Sequence, residues 1–419
     1  MWSPQQESAI KAVRSWLADP NRKPVFRLDG YAGTGKTTLA KELVQDVKGP
    51  VFFAAYTGKA AYVLRRKGCT NAQTIHRLIY CPQEKSRSKL LDLERELQTE
   101  LDANEGTDTQ KTLRLRRAIT QERVELSKPS FSRNDASIAQ GAALIVIDEA
   151  SMVDARIGQD LLSYGVPILV LGDPAQLPPV KGTGFFMQGD PDVLLTEIHR
   201  QALDNPILRL ATDVREGRRL KLGQYGDSCV IQKKDLQTED AMSAQQILVG
   251  KNMTRYRVNR RARFLLGLGP ALDADLELSD PSVFPAVGDK MVCLRNDREY
   301  GLLNGSMWRV LDVGEVGPRF ITMTLNTLDE ESADDITVEA HSFPFLNIED
   351  KDVSMPYWER LGAQEFTFGY GLTVHKSQGS QWDDVLLFDE SRVFSRDGRK
   401  WLYTGITRAA KRVTVVKDY

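Results

Sequence analysis

Cysteine is scarce in this sequence: it occurs four times in 419 residues, and no two cysteines form a Cys-x-x-Cys pair. This distribution argues against a disulfide framework or a cysteine zinc site and fits reduced thiols in a cytosol. Long apolar runs and a basic-then-apolar N-terminal leader are missing, so neither a membrane span nor a secretory signal is expected. The net charge of −1 excludes the overall basic character usual for a tight nucleic-acid binder, although a local basic groove suffices where binding must be released repeatedly.

A glycine-rich segment carries the clearest functional signal. It reads Gly-Tyr-Ala-Gly-Thr-Gly-Lys-Thr over residues 30–37, follows a predicted strand at 25–28 and precedes a predicted helix at 38–44. That context is typical of a phosphate-binding P-loop, because backbone N–H groups and the positive end of the helix dipole converge on an anion. Lys36 is then placed to reach the β and γ phosphates, and Thr37 to bind Mg²⁺. The alternative is a glycine turn beside a surface lysine.

A second predicted strand, residues 143–147, ends in Asp148 and Glu149. Acidic residues at the carboxyl end of a central parallel strand lie beside the P-loop, because ligands bind at that edge of open α/β sheets. The sequence therefore predicts that Asp148 binds Mg²⁺ and that Glu149 polarises an attacking water. The alternative is a helix N-cap followed by an acidic first turn.

A third predicted strand, residues 167–171, continues into a Gly-Asp-Pro-Ala-Gln turn at 172–176. A neutral amide at the end of such a turn suits a sensor of the γ-phosphate. Gln176 is therefore predicted to hydrogen-bond the terminal phosphate or the attacking water. The alternative is a turn that proline merely stiffens.

Taken together, these segments resemble superfamily 1B, the RecD-like and Dda-like 5′→3′ DNA helicases, and in particular the phage Dda type. The resemblance extends from Gln6 to Arg408 and follows the order of the family's motifs. The most group-specific segments are Val-His-Lys-Ser-Gln-Gly at 374–379 and Thr-Gly-Ile-Thr-Arg-Ala at 404–409. The other matching segments lie at 30–37, 55–61, 74–76, 146–151, 172–180 and 195–201.

The resemblance implies that ATP and Mg²⁺ bind between two RecA-like domains. The implied catalytic residues are Lys36, Glu149, Gln176, Arg200 and Arg408. The last two would be arginine fingers, since arginine stays charged and its planar fork matches phosphate oxygens; the alternative for each is a surface salt bridge. The implied metal ligands are Thr37 and Asp148, and the implied ATP-binding residues are Gln6, Gly30, Ala32, Gly33, Thr34, Gly35, Lys36, Thr37, Thr38 and Gly379.

Gln6 has a structural alternative. The resemblance makes it the adenine-reading glutamine that precedes the P-loop. By pattern alone, Ser3, Pro4 and Gln6 also fit the N-cap, N1 and N3 positions of a helical capping box. Both roles hold if the start of the helix lies over the base.

The resemblance also implies that single-stranded DNA crosses the tops of both domains. Hydroxyl and backbone N–H groups grip phosphates without reading sequence, so little sequence preference is expected. His76 has the alternative of a partly buried structural histidine. The implied contacts are Thr57, Lys59, His76, Asn252, Thr254, Thr373, His375 and Ser377.

The predicted fold class is α/β, with two RecA-like P-loop NTPase domains and one insertion in each. Residues 1–81 and 140–180 are predicted to form the first domain, and residues 181–280 and 371–419 the second. The strand-rich segment 281–370 suits a small antiparallel barrel and matches the position of the family's SH3-like domain.

The segment 82–139 is predicted to form a helical hairpin with an acidic first helix and a basic second helix. Its sharper interpretation is that 111–133 faces duplex DNA, with the hairpin tip or 129–131 at the fork. The alternative is a solvated protrusion without a DNA role. Apolar residues at helical spacing support this prediction: Leu90, Leu93, Leu97 and Leu101 on the first helix, continued by Leu113, Ala118, Ile119 and Val124 on the second.

The leading interpretation is an ATP-dependent DNA helicase that translocates 5′→3′ on single-stranded DNA and unwinds duplex. The alternatives are an ATP-driven DNA-binding switch or accessory subunit without unwinding, and a P-loop kinase of small molecules. The resemblance further implies a monomer without membrane association, in the cytoplasm of a bacterial or phage-infected cell. Its implied partners are single-stranded DNA and a duplex fork, with single-strand-binding or replication proteins as further candidates. The direction rests wholly on the resemblance, and no residue pattern separates DNA from RNA.

Overall fold

The computed structural model describes ten segments of the chain. They are residues 2–82, 88–104, 107–127, 131–179, 182–197, 205–270, 281–297, 300–329, 334–346 and 362–418. These segments form two six-stranded sheets, a five-stranded sheet and a two-stranded ribbon. Within them, no helix is both long and apolar enough to cross a bilayer.

The first six-stranded sheet is parallel throughout. Its strands are β1 (Val25–Gly30), β2 (Val51–Ala55), β3 (Gln73–Thr74), β6 (Leu144–Asp148), β7 (Ile168–Gly172) and β8 (Val193–Leu195). They lie in the order β3-β2-β6-β7-β1-β8, and β6 and β7 are buried along their whole length. The continuous apolar runs of the sequence therefore form central strands that are covered on both faces. Because the strands are parallel, the carboxyl ends of β1, β6 and β7 meet at one edge of the sheet.

Five helices cover this sheet. They are α1 (Pro4–Ala18), α2 (Lys36–Leu43), α3 (Gly58–Arg66), α4 (Ile75–Ile79) and α7 (Ala155–Leu162). The first three pack on one face of the sheet and the last two on the other. At the start of α1, Ser3 Oγ accepts from the Gln6 backbone N–H and Gln6 Oε1 accepts from the Ser3 N–H, which confirms the predicted capping box.

Strand β8 extends the first sheet beyond the predicted domain boundary at residue 180. It pairs in parallel with β1, with Leu28 opposite Val193. Just before β8, the Asp192 carboxylate accepts from the Arg27 backbone N–H at 2.8 Å. The partner of a three-residue strand is set by such non-local contacts, and the local sequence pattern does not contain them.

The second six-stranded sheet has five parallel strands and one antiparallel edge strand. Its strands are β9 (Gly223–Tyr225), β10 (Ser228–Gln232), β11 (Gln246–Val249), β17 (Gly371–Thr373), β18 (Trp382–Phe388) and β19 (Ala409–Lys417), in the order β17-β11-β18-β19-β10-β9. Its helices are α8 (Pro206–Arg215), α9 (Thr238–Ser243), α10 (Asn252–Leu265) and α12 (Gly398–Ile406). Asn205 caps α8, since its side chain accepts from two backbone N–H groups, and the helix ends before Gly217, at a φ of +78°.

Two helices and a small ribbon separate α4 from β6. The helices are α5 (Ser88–Ala103) and α6 (Gln110–Ser127), and the ribbon pairs β4 (Tyr80–Pro82) with β5 (Phe131–Arg133). The two helices pack together through Leu90, Leu93, Leu97 and Ile119. Ion pairs join their opposite charges, including Lys111 with Glu100 at 2.9 Å and Arg123 with Glu94 at 2.8 Å.

The apolar residues named from the sequence do not all lie on one face of α6. Leu113 is 47% exposed and Ala118 is exposed, whereas Leu115 is buried beside Ile119. The helix places Thr112, Leu115 and Ile119 on one face by i, i+3 and i+7 spacing, and this face turns toward α5. The side chain of Val124 lies outside the described residues.

The remaining sheet is antiparallel. Its strands are β12 (Lys290–Cys293), β13 (Met307–Val316), β14 (Phe320–Thr327), β15 (Ile336–His341) and β16 (Phe366–Phe368), in the order β15-β14-β13-β12-β16, and the short helix α11 (Phe343–Leu346) packs against it. Residues of β14 alternate between buried and half-buried, so one face of the sheet forms its own core. All five strands fall within 281–370, which agrees with the strand-rich segment predicted there.

A buried ion pair in β1 anchors the end of the first sheet. The Arg27 and Asp29 side chains are 8% and 0% exposed, and Arg27 Nε lies 3.0 Å from Asp29 Oδ2. Arg27 also donates to the backbone carbonyls of Gln188 and Gly189. The guanidinium thus fixes the loop before β8 while it neutralises a carboxylate that has no access to water.

Replacing Arg27 by methionine will destabilise the protein by about 3–5 kcal/mol, because Asp29 is left buried without its counter-charge. The free energy of unfolding, measured by urea denaturation, checks this. Lys411→Met is the matched control: it breaks a pair with Asp383 whose side chains are 76% and 57% exposed, so a loss below about 1 kcal/mol is expected. Equal losses in the two variants would contradict the argument.

Candidate functional site

The P-loop between β1 and α2 has the backbone geometry of an anion cradle. Gly33 and Gly35 have φ angles of +81° and +79°, a region that disfavours side chains. Gly35 is the N-cap residue of α2 and provides no side-chain cap, so the first N–H groups of the helix remain available to a ligand. Lys36 Nζ donates to the carbonyl oxygens of Gly30 and Tyr31, which holds the ammonium inside the loop.

Gln6 supports the P-loop from the side opposite the cavity. Its Nε2 donates to the Thr34 carbonyl oxygen at 3.0 Å, while its Oε1 is engaged by Ser3 in the capping box. Both ends of the amide therefore have protein partners, and the side chain is buried. Thr34 is also buried and donates its hydroxyl to Tyr31. Gln6, Gly30 and Thr34 thus shape the loop and do not line the cavity above it.

The two acidic residues after β6 lie beside the P-loop, as predicted. Asp148 Oδ1 accepts from the Glu149 backbone N–H at 2.9 Å. Glu149 has a φ of +54°, which is unusual for a residue other than glycine and turns its side chain out of the strand direction. Burial raises the pKa of the Glu149 carboxyl; the Arg408 guanidinium opposes this shift, and Asp148 adds to it.

The turn after β7 contributes Asp173 and Gln176. Asp173 is buried, and its Oδ1 accepts from the Ala175 N–H at 3.0 Å. Burial raises the pKa of its carboxyl, and Lys36 opposes the shift. Gln176 is buried as well, and within the described residues its Oε1 has no hydrogen-bond partner. A buried amide oxygen without a partner is costly unless a ligand or water satisfies it.

Arg408 faces these groups from the second sheet. It follows α12 at the start of β19, where its Nε donates to the Thr404 carbonyl and its Nη1 to the Ser380 carbonyl. Arg408 is 6% exposed, and its charge acts on Glu149. Gly379, at a φ of +77°, lies on the same side of the cleft. Arg200 lies outside the described residues.

One cavity of about 340 Å³ joins the two sides. Predicted residues that line it are Ala32, Gly33, Gly35, Lys36, Thr37, Thr38, Asp148, Glu149, Gln176, Gly379 and Arg408. The sequence prediction missed other lining residues, among them Tyr31, Lys67, Asp173, Ser380 and Thr407. Asp173 and Thr407 stand inside recognised motifs, so motif position could have identified them. Lys67 follows α3, and nothing in its local sequence indicates the cavity.

The groups around this cavity fit a nucleoside triphosphate with Mg²⁺. The glycine cradle and Lys36 suit phosphate oxygens, and the unsatisfied amide oxygen of Gln176 is able to accept from a water beside them. Thr37 and Asp148 supply the hydroxyl and carboxylate oxygens that Mg²⁺ takes from proteins.

The residues predicted to contact DNA from the first sheet lie around α3 and α4. Thr57 caps α3 by accepting from the Ala60 N–H. Lys59 Nζ lies 2.9 Å from the Asp329 carboxylate and 5.2 Å from the centre of the Trp382 ring. His76 packs against three rings, those of Tyr56, Tyr80 and Phe131, whose centres lie 5.5–5.9 Å from the centre of the imidazole. Burial lowers the pKa of the His76 imidazole.

The residues predicted to contact DNA from the second sheet divide into buried and accessible ones. Ser377 is fully buried and its hydroxyl donates to the Val374 carbonyl, so in this structure it closes a turn and is not presented to a ligand. Thr373 is also buried and accepts from the Lys376 N–H at 3.3 Å. The sequence pattern located this loop but did not reveal that its own backbone uses both hydroxyls.

Three further predicted contacts are at least partly accessible. Asn252 is exposed at the first position of α10. Thr254 donates its hydroxyl to the Glu390 carboxylate at 2.7 Å. The His375 ring packs against Phe394, and burial lowers the pKa of its imidazole, so the neutral form is favoured.

The strand, glycine loop and helix around Lys36, with the acidic residues after β6, place the chain in the class of P-loop NTPases. The family model described as "AAA domain" matches residues 1–235, and the model described as "UvrD-like helicase C-terminal domain" matches residues 368–416. The chain therefore belongs to the AAA-domain family, and its sequence is similar to the RecD2, Pif1 and Dda DNA helicases of superfamily 1B.

Two DNA helicases are similar to this chain in sequence. The chain is 25% identical to the ATP-dependent RecD2 DNA helicase of Deinococcus radiodurans over 92% of its own length and 46% of the relative's. It is 23% identical to the ATP-dependent DNA helicase Pif1 of Bdellovibrio bacteriovorus, over 91% and 81% of the two lengths. The chain thus spans about half the length of the RecD2 relative.

The fold also resembles solved structures. A structure of two coordinating Pif1 helicases at forked double-stranded DNA matches with a TM-score of 0.53 and 17% identity. The match covers 100% of this chain and 92% of that one. This likeness shows a Pif1-like α/β fold with RecA-like lobes.

The contacts of Gln6 separate its two predicted roles. Because both ends of its amide are engaged within the protein, Gln6→Ala will weaken ATP and GTP binding to the same extent, through the P-loop. Affinities for the two nucleotides, measured by isothermal titration calorimetry, check this. Ser3→Ala is the matched control, since it removes the cap but keeps the contact with Thr34. A loss confined to ATP would instead support adenine recognition.

Proposed function

We propose that this protein is an ATP-dependent DNA helicase that translocates 5′→3′ along single-stranded DNA and unwinds duplex. The observation that carries the proposal is one cavity lined by Lys36 and Glu149 from the first lobe and by Arg408 from the second. Because Arg408 belongs to the second lobe, its charge reaches the phosphates only when the two lobes come together. Binding and hydrolysis of ATP are thereby coupled to motion between the lobes.

Each residue at the cavity has a distinct proposed role. Lys36 and the N–H groups of the P-loop hold the phosphates, and Thr37 and Asp148 hold Mg²⁺, which neutralises phosphate charge when bound. Glu149 accepts a proton from the attacking water; its raised pKa makes it a stronger base, and Arg408 opposes protonation of the carboxylate. Arg408 also meets the charge that develops on the transferred phosphoryl group, and Gln176 orients the water.

We propose that the strand lies across the loops that carry Lys59, His76, Asn252 and His375. Lys59 is now paired with Asp329, so a DNA phosphate would compete with that carboxylate. The contacts of Thr57, Thr254, Thr373 and Ser377, and the role of Arg200, stay predictions. Single-stranded DNA and the duplex fork are the proposed partners.

The two insertions receive separate proposals. The α5–α6 pair acts as a helical hairpin at the fork, and the antiparallel sheet acts as an SH3-like domain beside α3. Support for the second comes from Gly58, where a Cβ atom would lie 3.2 Å from the side chain of Leu303, in the connection between β12 and β13. Support for the helical hairpin comes from two exposed arginines of α6, Arg114 and Arg117, whose positive charges suit DNA phosphates.

Partial duplexes with a 5′ or a 3′ single-stranded tail test the proposed function. We expect ATP-dependent strand separation of the 5′-tailed duplex, and no turnover in Lys36→Ala, which keeps single-stranded DNA binding. Strand separation is followed by a fluorophore–quencher pair, and ATP hydrolysis by phosphate release. DNA-stimulated hydrolysis without unwinding would favour an ATP-driven switch, and unwinding of the 3′-tailed duplex alone would overturn the direction.

Replacing residues 84–127 by a short Gly-Ser turn tests the helix pair. The ribbon tolerates this change because Pro82 and Phe131 are already paired across its end. We expect slower unwinding of forked duplex with unchanged ATP hydrolysis on single-stranded DNA. Leu113→Ser, at an exposed position of α6, is a control that leaves both activities intact. Unchanged unwinding in the deletion would remove the fork role.

A further inference from the structure

Tyr403 connects three parts of the nucleotide cavity. It lies on α12, five residues before Arg408, and is 2% exposed. Its hydroxyl accepts from the Ala32 N–H in the P-loop at 2.8 Å. The same hydroxyl donates to Asp173 Oδ2, in the turn after β7, at 2.9 Å. One phenol of the second lobe thus joins two separate loops of the first.

The chemistry of this phenol is fixed by its surroundings. Burial and the neighbouring Asp173 carboxylate raise the pKa of Tyr403 above its ordinary value, so the hydroxyl keeps its proton. A neutral hydroxyl is able to donate to Asp173 and accept from Ala32 at once. Phenylalanine at this position would fill the same space but would leave both partners without their hydrogen bond.

A further hydrogen bond holds α12 against the chain that follows the turn after β7, and the loop after β17 contacts the same residue. Thr404 Oγ1 accepts from the Leu177 N–H at 2.9 Å, and Gln378 Nε2 donates to the Leu177 carbonyl at 3.1 Å. Arg408 is in turn tied to this helix, because its Nε donates to the Thr404 carbonyl at 3.1 Å. The position of Arg408 relative to the P-loop therefore follows the position of α12.

We propose that Tyr403 is a positioning residue: it aligns Arg408 with the P-loop through its hydrogen bonds to Ala32 and Asp173. The inference rests on the proposed function, since Arg408 must act on ATP bound at the P-loop. Tyr403 does not touch the reacting atoms. It makes closure of the cleft depend on both the P-loop and the turn after β7, so that Arg408 reaches its place only when both loops are ordered.

Tyr403→Phe tests the inference with two measurements. Hydrogen–deuterium exchange without nucleotide reports the contact itself: the Ala32 amide is expected to exchange faster in the variant. Steady-state kinetics with single-stranded DNA report the role: kcat is expected to fall by about 10- to 100-fold, since a misplacement near 1 Å costs about 100-fold. KM for ATP should change by less than about threefold, because phosphate binding by the P-loop remains.

Tyr225→Phe is the matched control. It removes a hydroxyl of the second lobe that donates to the Lys221 carbonyl, away from the cavity, so exchange at Ala32 and kcat should both stay at wild-type values. Unchanged Ala32 exchange in Tyr403→Phe would overturn the inference, and so would faster exchange with unchanged kcat. Absence of ATP hydrolysis in the wild-type chain would instead overturn the proposed function, and with it the role of Tyr403.

Discussion

The packing of α12 against the P-loop and the turn after β7 is the interaction on which the site depends. Without it, the cradle formed by Gly33 and Gly35 faces open solvent, and the acidic pair at 148–149 loses the opposing charge of Arg408. With it, Arg408 lies within electrostatic reach of Glu149 across a cavity of about 340 Å³. In the proposed function, the P-loop binds phosphate, and the second lobe supplies the charge and the water exclusion that catalysis needs.

This arrangement places several polar groups where water does not reach, and each requires a partner. The Asp173 carboxylate accepts hydrogen bonds from the Ala175 N–H and the Tyr403 hydroxyl. Arg408 is held by two backbone carbonyls. The unsatisfied oxygen of Gln176 is the exception among these cavity groups, and it points to the position where a ligand completes the network. The same low polarity that makes these groups costly strengthens their action on a bound phosphate.

Sequence reasoning was most accurate where a local pattern has one physical meaning. The strand–glycine loop–helix order located the P-loop, and Ser3 with Gln6 gave the capping box. It did not identify which apolar residues of α6 face α5, since Leu113 is exposed and Leu115 is buried two positions later. It also left β8 out of the first sheet, since a three-residue strand reveals its partner only through the chain folded around it.

The sequence by itself determined the parallel strands, the P-loop and the motif residues after β6, β7 and β17, because strand periodicity and turn chemistry act between near neighbours. Tertiary structure alone decided which of these residues share a cavity, that Gln6 supports the loop from beneath, and that Ser377 is buried. It also decided the two hydrogen bonds of Tyr403, which join residues 371 and 230 positions apart. Contacts at such separations depend on how the two sheets pack, and no local pattern encodes that packing.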